Sequence, residues 1–66
     1  MKAYRILVHD RRETDPVVLD AELGRDTRAL EVARERLAGS PFIAAVELWR
    51  GETLLCHLTR AELRAA

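Results

Sequence analysis

The fold of the chain is decided by residues 42–58, which have the sequence FIAAVELWRGETLLCHL. Residues that favour β-strands lie on both sides of Gly51, and glycine is favoured in the tight turns of hairpins. Gly39 and Pro41 stand just before this segment and are typical of the end of a helix. We therefore predict that a helix ends near residue 39 and that a β-hairpin follows it directly.

Three turns around Gly51 are compatible with this hairpin, and each of them buries a different set of side chains. A two-residue turn at residues 51–52 or 50–51 places the polar His57 among the apolar side chains of one face. A three-residue loop at residues 49–51, with Gly51 left-handed as a bulge, avoids this. It gives three apolar cross-strand pairs, namely Val46 with Leu54, Ala44 with Cys56, and Phe42 with Leu58. We predict the three-residue loop, because a shift of one residue would turn the apolar face outward.

Two further strands are predicted before the helix, because residues 3–9 and 17–23 alternate in side-chain character. The side chains expected on the core face are Tyr4, Ile6, Val8, Val17, Leu19, Ala21 and Leu23. The opposite face then carries Arg5, Leu7, His9, Val18, Asp20 and Glu22. A polar loop at residues 10–15 joins the two strands into a hairpin, and its length leaves their register open.

The helix between the two hairpins is predicted to start at Asp26 or Thr27, since either side chain can accept hydrogen bonds from free backbone amides. We expect it to run to about Ala38, where Gly39 adopts a left-handed conformation and stops it. Its core-facing stripe is predicted to be Leu30, Ala33 and Leu37, flanked by Ala29 and Ala38. Val32 falls among charged residues, so we expect no core role for it.

These elements predict a single α+β domain over residues 1–66, in the order β-β-α-β-β. A four-stranded sheet forms one layer and the helix covers one of its faces. The first strand is the most apolar and is expected in the centre, paired either with the third strand in antiparallel or with the fourth in parallel. Thr59 and Glu62 have the spacing of a capping box, which predicts a short C-terminal helical turn.

The composition argues against several stabilising devices and partner classes. Eleven basic and eleven acidic residues cancel, so no net field attracts nucleic acid or an anionic membrane. A single cysteine excludes an internal disulfide, and with two histidines it makes a poor metal-ligand set. Because the sequence has no membrane span and no signal-peptide pattern, we expect a cytoplasmic location. Self-association is then the route by which so small a domain gains stability.

The residues that could be reactive do not form a catalytic pattern. His9 precedes Asp10 near a strand end, with no serine or cysteine in the same segment. Cys56 and His57 are neighbours in a strand, so their side chains point to opposite faces and cannot form a thiol–imidazole pair. The sequence also lacks glycine-rich phosphate-binding motifs and metal-ligand spacings. We therefore expect no catalytic residue, no cofactor and no metal, and a protein that is not an enzyme.

The sheet face opposite the helix is the candidate partner surface, because one helix covers only one face of a four-stranded sheet. The residues expected on this surface are Leu7, Val18, Ile43, Ala45, Trp49, Leu55 and His57. Trp49 is expected in the turn, at the rim of the surface. A second copy of the chain is the simplest partner and gives a homodimer. A different, unidentified protein is the other protein partner considered.

Nucleic acid is the alternative class of partner. The arginines that could contact phosphates are Arg11, Arg12, Arg25 and Arg28. Acidic residues in the same two stretches, at Glu13, Asp15 and Asp26, cancel much of their charge. Single-strand binding also uses aromatic residues on a sheet face, and only Trp49 is expected outside the core. The sequence therefore favours a protein partner.

Residues 47–51, with the sequence ELWRG, and the preceding helix at residues 29–38 resemble a group of small bacterial proteins of β-β-α-β-β order. These proteins share an E-x-W-x-G closing hairpin and have no assigned function, so the resemblance implies a fold and not an activity. Residues 4–9, with the sequence YRILVH, resemble the start of HicB-type antitoxins. That resemblance implies a nucleic-acid-binding or antitoxin-like regulator. HicB-type proteins have a third strand before the helix, for which this chain has no room after Leu23.

Overall fold

A computed structural model describes the backbone of residues 1–65 and the side chains of residues 1–62. The elements are β1 (Lys2–Asp10), β2 (Val17–Leu23), α1 (Asp26–Ala38), β3 (Ile43–Arg50), β4 (Thr53–Thr59) and α2 (Arg60–Ala65). The predicted α+β class, the β-β-α-β-β order and the short C-terminal helix are therefore confirmed. In α2, the backbone N–H of Glu62 donates to Thr59 Oγ1 at 3.4 Å, which is one half of the expected capping box.

The four strands form one antiparallel sheet in the order β2-β1-β3-β4. β1 is a central strand, as expected, and it pairs with β3 in antiparallel. This selects the first of the two pairings that the sequence left open. Because α1 connects an edge strand, β2, to a central strand, β3, it crosses one face of the sheet and covers it.

The first hairpin presents the predicted faces, and the structure now supplies its register. Tyr4 lies opposite Ala21, and Ile6 lies opposite Leu19. Tyr4, Ile6 and Val8 are buried beneath α1. Alternation along β1 and β2 is regular, so the period-2 pattern of the sequence was a sufficient guide to this part of the core.

The buried stripe of α1 consists of Ala29, Ala33 and Leu37, which are spaced at four residues. Two alanines let the helix approach the sheet closely, and Leu30 is only partly buried. The expectation for Val32 was wrong. It packs against the core from the side of α1, because the helix is rotated relative to the predicted stripe.

The bounds of α1 agree with the prediction, but the caps at its two ends differ from it. At its start, Arg25 is the capping residue and makes no side-chain cap. The carboxylate of Asp26 instead accepts hydrogen bonds from the Tyr4 hydroxyl and from Arg50 Nη1, the latter at 2.6 Å. At the other end, Gly39 is right-handed, with φ −74° and ψ −12°, so it does not form the expected left-handed stop.

A side chain from outside α1 completes its C-terminal end. Arg60, the first residue of α2, donates hydrogen bonds through Nη2 to the backbone carbonyls of Leu37, at 3.0 Å, and of Ser40. The last carbonyls of a helix have no partners within it and carry partial negative charge, so a guanidinium satisfies both requirements. This contact joins the start of α2 to the C-terminal end of α1.

The register predicted for the second hairpin was wrong. Gly51 is left-handed, with φ +61°, but it belongs to a two-residue turn in which Arg50 pairs with Thr53. Trp49 then pairs with Leu54, whereas Leu48 pairs with Cys56, so Leu55 is an extra residue in β4. This bulge restores an apolar core face farther along, where Val46 lies opposite Leu58.

The bulge exchanges the expected positions of several side chains. Leu54 was predicted in the core and is 45% exposed, whereas Leu55 packs against the core. Phe42 was also predicted in the core. It lies just before β3, is 45% exposed, and stacks on the guanidinium of Arg12, whose Cζ is 4.3 Å from the ring centre.

A second irregularity moves the start of β3. His9 pairs with Ala45 and Asp10 pairs with Ile43, so Ala44 is passed over. Ala44 was predicted to face the core and is exposed. Ile43 was predicted on the opposite face and is buried, because one extra residue reverses the alternation of side chains.

Candidate functional site

The sheet face that α1 leaves uncovered is called the outer face below. Cross-strand pairing arranges its side chains in three rows. The first row is Asp20, Arg5, Trp49 and Leu54. The second row is Val18, Leu7, Glu47 and His57, and the third is His9, Ala45 and Thr59. Each row crosses the sheet from the β2 side to β4, so apolar and charged side chains can be placed relative to one another.

Apolar side chains form a diagonal across the outer face, with one residue on each strand. Val18 and Leu7 are a cross-strand pair in the second row, and Trp49 and Leu54 are a pair in the first row. Leu7 lies opposite Glu47, so Trp49, two residues farther along β3, is its diagonal neighbour and within reach of its side chain. These four residues are called the apolar diagonal below. Val18 is 49% exposed and Leu54 is 45% exposed.

One flank of the apolar diagonal carries the ion pair of Arg5 and Asp20. Arg5 Nε donates to Asp20 Oδ1 at 2.9 Å, and Nη2 donates to Oδ2 at 3.3 Å. This forked hydrogen bond raises the pKa of Arg5 and lowers the pKa of Asp20. Both groups are largely solvated, so the pair adds little stability but keeps this flank neutral.

The other flank is organised around Glu47, which lies on a central strand. His9 Nε2 is 2.5 Å from Glu47 Oε2, and Trp49 Nε1 donates to Glu47 Oε1 at 3.1 Å. The hydrogen bond from His9 lowers the pKa of Glu47, and the hydrogen bond from Trp49 adds a smaller decrease. Desolvation acts in the opposite direction and raises the pKa, but its effect is outweighed. The carboxylate therefore holds an imidazole on one side and an indole on the other, which fixes the Trp49 ring on the outer face.

The structure places five of the seven predicted surface residues on the outer face: Leu7, Val18, Ala45, Trp49 and His57. The expected positions of Ile43 and Leu55 were wrong, since both pack on the core side. Each lies at or next to an irregular point in the ladder, where alternation does not predict the face. Trp49 is also not in the turn but within β3.

Sequence reasoning missed Leu54 as an outer-face residue and did not assign a role to Glu47. Leu54 could not be found, because nothing in two successive leucines indicates which one occupies a bulge. The role of Glu47 could not be found either, because its partner His9 is 38 residues away in the sequence. Only the pairing of β1 with β3 brings the two together.

The other candidate reactive groups are separated from one another. Asp10 is held by Arg12 and not by His9, and the hydrogen bonds from Arg12 lower the pKa of Asp10 to about 2. Cys56 lies on the core side, where desolvation raises the pKa of its thiol and disfavours the nucleophilic thiolate. His57 lies on the outer face. Among the described side chains, no group of three or more His, Cys, Asp or Glu residues is arranged to hold a metal ion.

Two of the four arginines considered for phosphate binding are engaged by carboxylates. Arg12 Nη2 is 2.8 Å from Asp10 Oδ2, and Arg28 Nη1 is 3.0 Å from Glu31 Oε2. Their charge is therefore compensated within the chain. A surface depression of about 530 Å³ lies away from these two arginines and is lined by Ala3, Tyr4, Arg5, Asp20, Ala21, Glu22 and Gly51.

Acid should destabilise the fold, because several carboxylates have lowered pKa values in the folded state. Asp10 is at about 2, and hydrogen bonds from Tyr4 and Arg50 lower the pKa of Asp26. Such groups favour the folded state above their unfolded pKa, near 3.9, and this contribution is lost as the pH falls through the folded value. Thermal unfolding followed by circular dichroism should show the midpoint falling between about pH 4 and pH 2.

The Asp26→Asn variant is the control for this pH effect. It removes one titrating group, so its midpoint should depend less steeply on pH than that of the unmodified protein over the same range. An equal pH dependence for the two proteins would contradict the assignment of Asp26 as a contributor.

The described part of the chain contains no helix long and apolar enough to cross a membrane. Comparison of the sequence with protein-family models found no match, and comparisons with curated proteins and with solved structures found none either. Functional inference for this chain therefore rests on the outer face itself.

Proposed function

We propose that the protein is a small, non-enzymatic interaction module that forms a homodimer through its outer face. The observation that carries the proposal is the apolar diagonal, which spans all four strands and is flanked by charged groups, Arg5, Asp20 and Glu47, that already have hydrogen-bonded partners within the chain. A surface with satisfied flanking charges can be covered at a low electrostatic cost, whereas unpaired charges would oppose burial. Apolar side chains at its centre provide the gain in free energy on covering.

The dimensions of the domain support a dimer interface of ordinary size. The Cα atoms extend over 31 × 27 × 18 Å. The two longer extents bound a rectangle of about 840 Å², so an interface to which each partner contributes roughly 800 Å² would use most of one broad side of the domain. A domain of 66 residues has a small core, so association would add appreciably to its stability.

A pair of matched substitutions tests the proposal. Val18→Glu places a carboxylate on the apolar diagonal, and we expect it to raise the dimer dissociation constant at least about a hundredfold, because an unpaired charge is buried. Val17→Glu is the control, since Val17 is the preceding residue, is similarly exposed at 45%, and points to the other face. Light scattering at two concentrations should give twice the 7.5 kDa chain mass for the unmodified protein and for Val17→Glu.

The proposal fails if the unmodified protein keeps the mass of one chain at millimolar concentration. It also fails in its choice of surface if both glutamate variants dissociate to the same extent. Both positions lie on the solvent-accessible edge strand β2, so we expect both variants to fold. Circular dichroism of each variant verifies that the fold is retained.

A nucleic-acid-binding or antitoxin-like regulator is the alternative that the sequence suggested, and no contact in the described residues favours it. We also propose a cytoplasmic location, which the free thiol of Cys56 supports, because thiols stay reduced in that compartment. Binding to mixed DNA and RNA oligonucleotides at 50 mM and 200 mM salt would separate the alternatives, since phosphate contacts produce a strong salt dependence. Salt-dependent binding would support the regulator.

A further inference from the structure

We propose that the two-fold axis of the dimer runs along the apolar diagonal, so that Arg5 of each copy faces Glu47 of the other. This inference rests on the homodimer proposed above and specifies which surfaces of the two copies meet. Two isologous arrangements overlay one apolar diagonal on another. The axis can lie along the diagonal, or it can cross it within the plane of the interface.

The positions of Arg5 and Glu47 decide between these two axes. Neighbouring strands are about 4.8 Å apart, and residues two apart on one strand are separated by about 6.8 Å. On this lattice Arg5 is one row from Leu7 on β1, and Glu47 is one row from Trp49 on β3. The two charged residues therefore lie at equal distances from the centre of the diagonal, on its opposite sides.

An axis along the diagonal exchanges the two flanks. The flank with Arg5 of one copy then covers the flank with Glu47 of the other, and the symmetry makes this contact twice. An axis across the diagonal leaves each flank opposite itself, so that Arg5 meets Arg5 and Glu47 meets Glu47. Like charges that are placed together oppose association and opposite charges favour it, so only the first arrangement is electrostatically complementary.

The second charged residue on each flank gives the same result. Asp20, the partner of Arg5 at 2.9 Å, is one strand farther out on its flank. His9, the partner of Glu47 at 2.5 Å, is displaced to a similar extent on the other flank. An axis along the diagonal therefore brings Asp20 close to His9 of the second copy. Each contact between flanks then brings together four groups, namely Asp20 and Arg5 of one copy with Glu47 and His9 of the other. Basic and acidic side chains alternate among them, so each group keeps its partner within the chain and gains one across the interface.

A charge exchange between two variants tests this geometry. Arg5→Glu alone places two carboxylates together at both contacts, and Glu47→Arg alone places two guanidinium groups together. We expect each variant by itself to dimerise at least about tenfold more weakly than the unmodified protein. An equimolar mixture of the two restores an opposite-charge pair at both contacts, so it should form a heterodimer with nearly the original affinity. Analytical ultracentrifugation with one variant fluorescently labelled measures both results.

The outcomes distinguish this inference from the proposed homodimer itself. If the unmodified protein dimerises but each single variant dimerises equally well, the axis lies across the diagonal and the inference is wrong, although the dimer stands. Failure of the mixture to recover affinity also overturns it. If the unmodified protein does not dimerise, both proposals fail.

Milder substitutions keep the test valid if the loss of the hydrogen bonds of Glu47 unfolds the Glu47→Arg variant. Arg5→Gln, Glu47→Gln and the double variant form a thermodynamic cycle on the dimer dissociation constant. We expect the two effects to be non-additive, because the residues contact each other across the interface. Additive effects would contradict the contact.

Discussion

Leu48→Ala should unfold most of the protein at room temperature. Leu48 is fully buried on a central strand, opposite Cys56 and beneath α1. Truncating a buried leucine to alanine costs about 2–5 kcal/mol, because transfer free energy is lost and a cavity is left. The core of a domain this small contributes roughly 3–5 kcal/mol net, so the substitution removes most or all of the margin. Urea denaturation followed by circular dichroism measures the change.

Leu54→Ala is the matched control, because it removes the same atoms from the same hairpin. Leu54 is 45% exposed on the outer face, so we expect a loss of free energy of unfolding of less than about 1 kcal/mol for the monomer. The three-residue loop predicted from the sequence would have buried Leu54 opposite Val46. A large loss of monomer stability in Leu54→Ala would therefore contradict the bulge at Leu55.

Arg60→Ala should produce the second large loss of stability. Its guanidinium donates to the carbonyls of Leu37 and Ser40 at the C-terminal end of α1. A hydrogen bond to a charged group contributes about 1.5–3 kcal/mol, and a cation at this end of a helix adds a favourable dipole interaction. We expect the free energy of unfolding to fall by about 2 kcal/mol, measured by urea denaturation.

Arg34→Ala is the control for this substitution. Arg34 is exposed on the same helix, and its replacement should change the free energy of unfolding by less than about 0.5 kcal/mol. Arg60→Lys adds a second comparison, because it keeps the charge but not the fork. If lysine restored full stability, the dipole interaction alone would account for the effect. Equal losses for Arg34→Ala and Arg60→Ala would contradict the capping role.

The sequence predicted the first hairpin well because its pattern is regular. Every second residue is apolar from Tyr4 to Val8 in β1 and from Val17 to Leu23 in β2, and alternation in a ladder without bulges leaves one assignment of faces. The second hairpin has two irregular points, at Ala44 and Leu55. Each of them reverses the alternation of side chains locally. The bulges allow leucine and isoleucine to be buried, but no residue type in the sequence marks where a bulge occurs.

The bounds of α1 were predicted correctly, but its caps were predicted wrongly, for a different reason. Local sequence indicated that Asp26 or Thr27 caps the helix and that Gly39 ends it in a left-handed conformation. In the structure these needs are met by residues distant in the chain, namely Tyr4 and Arg50 for the carboxylate and Arg60 for the terminal carbonyls. Tertiary partners of this kind have no signal in a short window of sequence.

The existence of an open outer face could be predicted from the sequence, but the arrangement of the side chains on it could not. A single helix on a four-stranded sheet leaves one face open, and that much follows from the element order. The diagonal arrangement of Leu7 and Trp49, and the pairing of Glu47 with His9, follow only from the register between β1 and β3. The function proposed for the chain depends on that register.

The bulge in β4 has a consequence for changes in chain length. Leu54 and Leu55 are identical, so deletion of either one gives the same shortened strand. In that strand the remaining leucine would pair with Trp49 and the next residue, Cys56, with Leu48, which are the pairs already present on either side of the bulge. The ladder would close without interruption, and only the core contact of one leucine would be lost. This position can therefore absorb the loss of one residue while every other cross-strand neighbour is retained.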